Sequence, residues 1–193
     1  MKKFELTNEF VTNVFGTKLF RIRALVEFGD VEAGELGGYV EKESNLGHDD
    51  NAWVYDNAWV YGNAQVSGNA LVYGNAWVYG DARVYGDALV YDNAQVSGDA
   101  RVCGDARVCG NGDYAYAHGF GSVNRTTTFF RLKDGGVGVR CGCFYGTLAQ
   151  FRDKIRETHG ETKKAQEYLM LADLMELRFE EDENEVGNRK YVE

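Results

Sequence analysis

The 193-residue sequence has no proline, only four cysteines and only three histidines. Without proline, the sharp turns of the chain must be made by glycine or by short polar residues such as Asn and Asp. The sequence also lacks an apolar run long enough for a secretory signal peptide or a membrane span. Because four cysteines without such a signal are typical of a reducing compartment, we expect a cytoplasmic protein with no membrane partner.

Positive charge is also scarce. The formal net charge is −9, which argues against general binding to nucleic acids or to acidic membranes. The repeated segment described next holds six Asp against three Arg, and residues 180–185 form an acidic run. We expect that acidic run to be solvated or disordered, and we expect no direct nucleic-acid partner.

A six-residue repeat fills residues 51–110 without a break. Its ten copies read NAWVYD, NAWVYG, NAQVSG, NALVYG, NAWVYG, DARVYG, DALVYD, NAQVSG, DARVCG and DARVCG. Every copy has Ala second and Val fourth, and side chains two apart on a strand share a face. The pattern therefore predicts inward Ala and Val, outward third and fifth residues, and turns at the Gly, Asn and Asp between copies. Such a short fixed period indicates a solenoid.

The spacing of Val54 from Ala58, and of Val60 from Ala64, resembles that of the hexapeptide-repeat family. The resemblance implies a left-handed parallel β-helix, a triangular prism with three hexapeptides in each coil. We therefore expect a mainly β protein in three parts. These are an N-terminal β cap at residues 1–35, the β-helix at residues 36–122, and a small C-terminal α/β domain at residues 123–193.

The segments beside the repeats predict how the prism begins and ends. Val40 and Leu46 stand six residues apart, so the first coil is expected to start there, with a two-residue insertion near His48. Tyr114 and Phe120 continue the six-residue step and are expected to close the prism with bulky inward side chains. Farther along, the sequence predicts a ββαα unit with a hairpin turn at 134–136 and helices at 147–160 and about 162–179.

Stacking the repeats at 18 residues predicts that aromatic side chains pave two outer faces of the prism. We take these residues as candidate interface positions: Trp53, Tyr55, Tyr73 and Tyr91 on one face, and Trp59, Tyr61, Trp77 and Tyr79 on the next. In one interpretation they form ladders that stabilise neighbouring coils. In another, they are buried against a second subunit or against the chain's own terminal regions. Related hexapeptide-repeat proteins trimerise through prism faces, so the resemblance implies a homo-oligomer, a trimer or a dimer.

Catalytic residues are harder to find. Hexapeptide acyltransferases use a coil histidine as general base, and His48 is the one candidate, with a turn residue as the alternative. The three histidines of the chain, His48, His118 and His159, are too dispersed for a carbonic-anhydrase-like zinc site. The cysteines could meet around a metal only if the C-terminal hairpin packed over one prism edge, and free thiols are favoured. The repeats contain no Thr, which excludes a Thr-rich ice-binding surface. We therefore expect no catalytic residue, no metal and no cofactor.

Two longer stretches are similar to hexapeptide-repeat proteins of bacteriophages and of prophages in Gram-positive bacteria. They read FGDVEAGELGGYVEKESNLGHDDNAWVY and NRTTTFFRLKDGGVGVRCGCFYGTLAQF. The resemblance implies no established activity. It favours a non-catalytic protein in the host cytoplasm that binds a host protein or a small nucleotide, as an anti-CRISPR-like inhibitor of a defence system. The alternatives are an acyltransferase centred on His48 and a purely structural assembly protein.

Overall fold

The computed structural model describes residues 2–121 and 124–180. Its centre is a parallel β-solenoid in which each hexapeptide contributes one two-residue strand. These strands are β4 Trp53–Val54, β5 Trp59–Val60, β6 Gln65–Val66, β7 Leu71–Val72, β8 Trp77–Val78, β9 Arg83–Val84, β10 Leu89–Val90, β11 Gln95–Val96, β12 Arg101–Val102 and β13 Arg107–Val108. The mainly β solenoid predicted from the repeats is confirmed.

Strands 18 residues apart pair in parallel and make the three faces of the prism. One face stacks β4, β7, β10 and β13, the next stacks β5, β8 and β11, and the third stacks β6, β9 and β12. Backbone hydrogen bonds join successive coils, as from Trp59 N to Ala76 O at 2.9 Å and from Tyr61 N to Val78 O at 3.1 Å. The predicted 18-residue stacking is therefore confirmed. The left-handed sense stays a prediction from the family resemblance.

The prism interior is filled by the Ala and Val of every repeat. All twenty of these side chains are at most 1% exposed. Small Ala beside branched Val suits the narrow interior between three faces, and the predicted inward positions are confirmed.

Left-handed backbone makes the corners. Gly62, Gly68, Gly74 and Gly80 have φ between 68° and 71°, as their fixed place at the end of each repeat predicts. A Cβ on Gly68 would also lie only 3.0 Å from the backbone nitrogen of Gly86 in the next coil. Two repeats end in aspartate instead, which adopts the same left-handed conformation, with φ of 52° and 55°.

The N-terminal strands extend one face of the prism. Strands β1 (Phe4–Thr12), β2 (Lys18–Ala24) and β3 (Leu36–Val40) pair antiparallel in that order, and β3 then pairs parallel with β5. Val40 aligns with Val60, and Leu46 bridges to Val66, so the first coil starts where the six-residue step predicted it. Between them, a 3-10 helix at Glu43–Asn45 turns the chain.

The C-terminal part is a four-stranded antiparallel sheet followed by two helices. Its elements are β14 Tyr114–Phe120, β15 Arg125–Arg131, β16 Val137–Cys141, β17 Phe144–Thr147, α1 Leu148–His159 and α2 Lys163–Phe179. The predicted hairpin and both helices are present, and Thr147 with Gln150 forms the predicted capping box. Within the described residues, no helix has the length and apolarity needed to cross a bilayer.

The expected ββαα unit and its boundary need correction. Strand β14 does not continue the prism, because it pairs antiparallel with β15 and lies at the edge of the C-terminal sheet. Phe120 consequently packs in the core of the C-terminal domain, while Phe130 joins the solenoid core and closes its end, with Tyr114 and Leu132 packed against that core. The acidic run expected to be solvated or disordered lies, from residue 181 on, outside the described residues.

Candidate functional site

Three stacked aromatic pairs run along two adjoining faces of the solenoid. Each pair joins side chains 18 residues apart, and the planes are within 8° of parallel. The ring centroids are 4.9 Å apart for Trp59 and Trp77, 5.2 Å for Tyr61 and Tyr79, and 5.0 Å for Tyr73 and Tyr91. This spacing is close to that of neighbouring strands, so the ladder arrangement follows directly from the coil repeat.

We call these six residues the aromatic ridge: Trp59, Tyr61, Tyr73, Trp77, Tyr79 and Tyr91. Tyr79 follows Trp77 by two residues on the same face, and Tyr73 precedes Trp77 by four residues across one corner of the prism. All six side chains are half-buried. Partial burial raises the pKa of Tyr91 to about 12 and also raises the pKa of Tyr73, so these hydroxyls are uncharged near neutral pH. The ridge is therefore an uncharged aromatic surface.

The stacked pair of Trp59 and Trp77 has a different kind of neighbour at each end of its row. At the N-terminal end, Tyr39 aligns with Trp59, and its hydroxyl accepts a hydrogen bond from Arg21 and donates one to Glu9. At the other end, Gln95 takes the place of an aromatic residue in register with Trp77. The exposed aromatic surface thus covers the middle of the solenoid.

Trp53 does not belong to this surface. Its side chain is 0% exposed, because the N-terminal part of the chain covers it. The Trp53 ring packs edge-to-face with the rings of Phe4 and Phe28, at centroid distances of 6.2 Å and 5.3 Å. The expectation that Trp53 lies at an interface with a partner is therefore corrected: it is buried against the chain's own terminal region. Tyr55 packs beside it and is partly buried.

His48 anchors the N-terminal strand. Its Nδ1 accepts a hydrogen bond from the Lys3 backbone nitrogen at 3.1 Å, and its Nε2 lies 2.9 Å from Glu43 Oε1. The ring also stacks on Phe4 at 4.5 Å. A hydrogen bond from Lys2, which is the larger cause, and a hydrogen bond from His48 lower the pKa of the Glu43 carboxyl. Both ring nitrogens of the candidate base are thus engaged, Nδ1 with the start of the N-terminal strand and Nε2 with Glu43 of the 3-10 helix.

Two of the cysteines belong to the solenoid repeats and two to the C-terminal domain. Cys103 is buried, and burial raises the pKa of its thiol. Cys141 accepts a hydrogen bond from Thr127 Oγ1 at 3.2 Å, whereas Cys143 is exposed. In the part of the chain that the structure describes, no three His, Cys, Asp or Glu side chains are grouped to hold a metal ion.

An open cavity of about 300 Å³ lies on the third face of the prism. The residues that line it are Gln65, Ser67, Arg83, Tyr85, Arg101 and Arg140. Five of them come from the repeats, where the 18-residue period places Gln65, Arg83 and Arg101 in one row. Arg140 comes from β16, and its approach to the cavity could not be foreseen, because it depends on how the C-terminal sheet docks.

Comparison with known protein families supports the repeat architecture. Residues 64–80, 82–98 and 94–110 match the family model described as YdcK Beta solenoid repeat. The matched segments lie within the solenoid and include strands β6 to β13. No curated protein matches the chain. The chain is thus similar to β-solenoid repeat proteins over its central part, and its function must be argued from its own surfaces.

Proposed function

We propose that this protein is a non-catalytic binding protein that self-associates through the aromatic ridge and binds a component of a host cell. The observation that carries the proposal is the ridge itself, with three stacked aromatic pairs left half-buried on adjoining faces. Aromatic side chains supply much of the binding energy of protein interfaces. A continuous apolar surface of this kind is typical of an interaction site.

A second copy of the chain is the proposed occupant of the ridge. The resemblance to hexapeptide-repeat proteins, which trimerise through prism faces, supports this choice. The geometry supports it as well, because a straight ladder parallel to the prism axis can lie against the same feature of another prism. The assembly in this proposal is a trimer, with a dimer as the alternative.

The host component rests on the similarity to phage and prophage proteins. In this proposal, the oligomer acts in the cytoplasm of an infected bacterium and inhibits a defence system by binding one of its proteins or small nucleotides. The contacts of His48 support a protein without catalytic activity in this proposal. Its two ring nitrogens bond Lys3 and Glu43, so neither is left to act as the general base of an acyltransferase.

The double substitution Tyr73→Asp with Trp77→Asp tests self-association. It places two charges on the outside of the coil, where a monomer tolerates them and an aromatic interface does not. We expect light scattering to show an oligomer for the wild type and a monomer for the variant, with unchanged circular dichroism. The matched control, Ala149→Asp with Gln166→Asp, adds the same charge at exposed helix positions and should remain oligomeric.

Pull-down from host lysate by the wild type, followed by mass spectrometry of proteins and released small molecules, tests the second half of the proposal. A component that is captured by the wild type and whose defence activity falls on binding would support it. A wild type that is monomeric at tens of micromolar, and that leaves host defence unchanged when expressed, would overturn the proposal and leave the ridge as a purely stabilising ladder.

A further inference from the structure

We propose that the cavity on the third face binds a phosphorylated small molecule of mononucleotide size. The inference rests on the proposed binding function and names a ligand for it, at a site separate from the aromatic ridge. Residues from two parts of the chain build the site: strands β6, β9 and β12 of the solenoid, and β16 of the C-terminal sheet.

The solenoid places two arginines of this site in register. Arg83 on β9 and Arg101 on β12 are direct partners in a parallel pair, so their Cα atoms are one strand spacing apart. Like charges directly opposite each other destabilise a sheet. Gln65 continues the same row on β6 without a charge. A multivalent anion between the two guanidinium groups would convert this repulsion into attraction.

The C-terminal sheet brings a third arginine to the same place. Arg140 lies with its guanidinium carbon 6.0 Å from the centre of the Tyr85 ring, and its Nη1 donates to Cys143 O at 3.5 Å. Among the described residues, its buried Nε atom has no hydrogen-bond partner. The sheet is fixed there because Arg101 N donates to Thr128 Oγ1 at 2.9 Å. Arg140 therefore sits on an ordered wall of the cavity.

Among the described residues, the ion pairs leave the three arginines of the cavity without a carboxylate partner. Within residues 2–121 and 124–180, no Asp or Glu forms an ion pair with Arg83, Arg101 or Arg140. The neighbouring Tyr85 does not supply a negative charge either, because burial and then a hydrogen bond with Cys103 raise the pKa of its hydroxyl to about 12. An unneutralised basic cluster in a chain of net charge −9 is a local attractor for anions.

A phosphoryl group fits this donor set better than a carboxylate. Guanidinium groups present paired N–H donors that match phosphate oxygens, and three of them match a dianion with three terminal oxygens. Gln65 and Ser67 add an amide and a hydroxyl at the exposed end, while Tyr85 offers a flat apolar ring. A volume of about 300 Å³ is at the lower end of the range for small-molecule sites. This size favours a mononucleotide over a nucleic-acid strand.

Isothermal titration calorimetry at low salt tests the site with three probes: inorganic phosphate, adenosine monophosphate and succinate. We expect phosphate and the nucleotide to bind more tightly than succinate, which carries a similar charge on two carboxylates. Binding of both phosphates supports a nucleoside phosphate, whereas binding of inorganic phosphate alone would contradict the proposed mononucleotide size and would assign free phosphate to the site. Succinate binding as tightly as either phosphate, or no binding of any probe, would overturn the inference.

Variants connect the binding to the cavity. Arg101→Gln and Arg140→Gln should each weaken phosphate binding about tenfold or more, because each removes a charge-assisted donor. Arg83 is exposed, so Arg83→Gln should leave the domain junction intact. It tests the loss of phosphate binding even if the Arg101 and Arg140 variants unfold. Lys133→Gln removes an exposed charge outside the cavity and should bind as the wild type does. Equal affinity in all four variants would show adventitious binding and would contradict the assignment.

The ridge variant separates this inference from the proposed self-association. Tyr73→Asp with Trp77→Asp leaves the cavity lining intact, so the monomer it produces should still bind the phosphate probe. An oligomeric wild type that binds no probe contradicts the cavity site alone. A monomeric wild type that binds phosphate contradicts self-association alone.

Discussion

At the scale of single residues, the backbone conformation decides which side chains are allowed at the corners. Glycine ends most repeats because φ near 70° strains an L-residue and because, at the corners from Gly62 to Gly86, a Cβ would contact the backbone of the next coil. Asp56 and Asp92 show that a short polar side chain is tolerated in the same conformation. The carboxylate of Asp56 also accepts a hydrogen bond from Gly74 N in the coil above, at 3.1 Å.

The corner substitution Gly68→Val should lower the free energy of unfolding by about 1–2 kcal/mol, because a β-branched residue is strained at positive φ. Asp92→Gly is the matched control at an equivalent corner and should be close to neutral. Urea unfolding followed by circular dichroism measures both. Equal stability of Gly68→Val and the wild type would show that the corner relaxes to another conformation.

Trp53 shows what the repeat sequence alone leaves open. The first two copies differ only in their last residue, NAWVYD against NAWVYG, yet Trp53 is fully buried and Trp59 is half-buried. The difference comes from Phe4 and Phe28, which belong to another part of the chain. Inward and outward positions follow from the local period, whereas the covering of one outward position depends on long-range docking.

At the scale of elements, no strand of the solenoid is stable alone. Each has two residues, and its hydrogen bonds run to the coils above and below. The stability of one strand therefore depends on its neighbours, as in other stacked repeats. The continuous hydrophobic column of Val and Ala holds the stack together.

Replacing an inward valine tests this dependence. Val78→Asp should unfold the solenoid, because an unpaired charge in the dry interior is very costly. Gln95→Asp introduces the same side chain at an outward position of the next coil on that face and should leave the melting temperature within a few degrees of the wild type. Thermal unfolding followed by circular dichroism distinguishes the two. A Val78→Asp protein that melts with the wild type would contradict the inward assignment.

At strand β14 the six-residue pattern no longer predicts the structure. Tyr114 and Phe120 keep the six-residue step from Val108, which predicted another turn of the prism. Antiparallel pairing with β15 instead gives that segment backbone hydrogen bonds along one edge, and its side chains pack against the core of the C-terminal domain. The repeat had predicted the interior, the corners and the three faces, but a competing partner elsewhere in the chain cannot be read from a local period.

At the scale of the whole molecule, β15 ties two hydrophobic cores together. Phe130 points into the solenoid core, and its neighbour Phe129 points into the core of the C-terminal domain, where it meets Phe151 at 6.0 Å. Both side chains are 0% exposed. Because adjacent residues on a strand face opposite sides, one strand is a wall of both cores.

The pair Phe129→Ala and Phe130→Ala should separate the two cores. Each loses a buried aromatic ring, at a cost of about 3–5 kcal/mol. Hydrogen exchange should rise mainly in α1 and α2 for Phe129→Ala, and mainly in β12 and β13 for Phe130→Ala. Each variant serves as the control for the other. The same exchange pattern in both would mean that the molecule unfolds as one cooperative unit.

The 18-residue coil also sets the increments in which this molecule can change length. Removing residues 63–80 would join Gly62 to Asp81, and each later residue would drop into the row it already occupies. The ends would stay on the same faces, with one rung fewer between them. Removing a single hexapeptide would instead swing the C-terminal domain about a third of a turn around the prism axis. The C-terminal sheet would then point in a different direction relative to strands β1 to β3, so the number of hexapeptides fixes the angle between the two ends of the molecule.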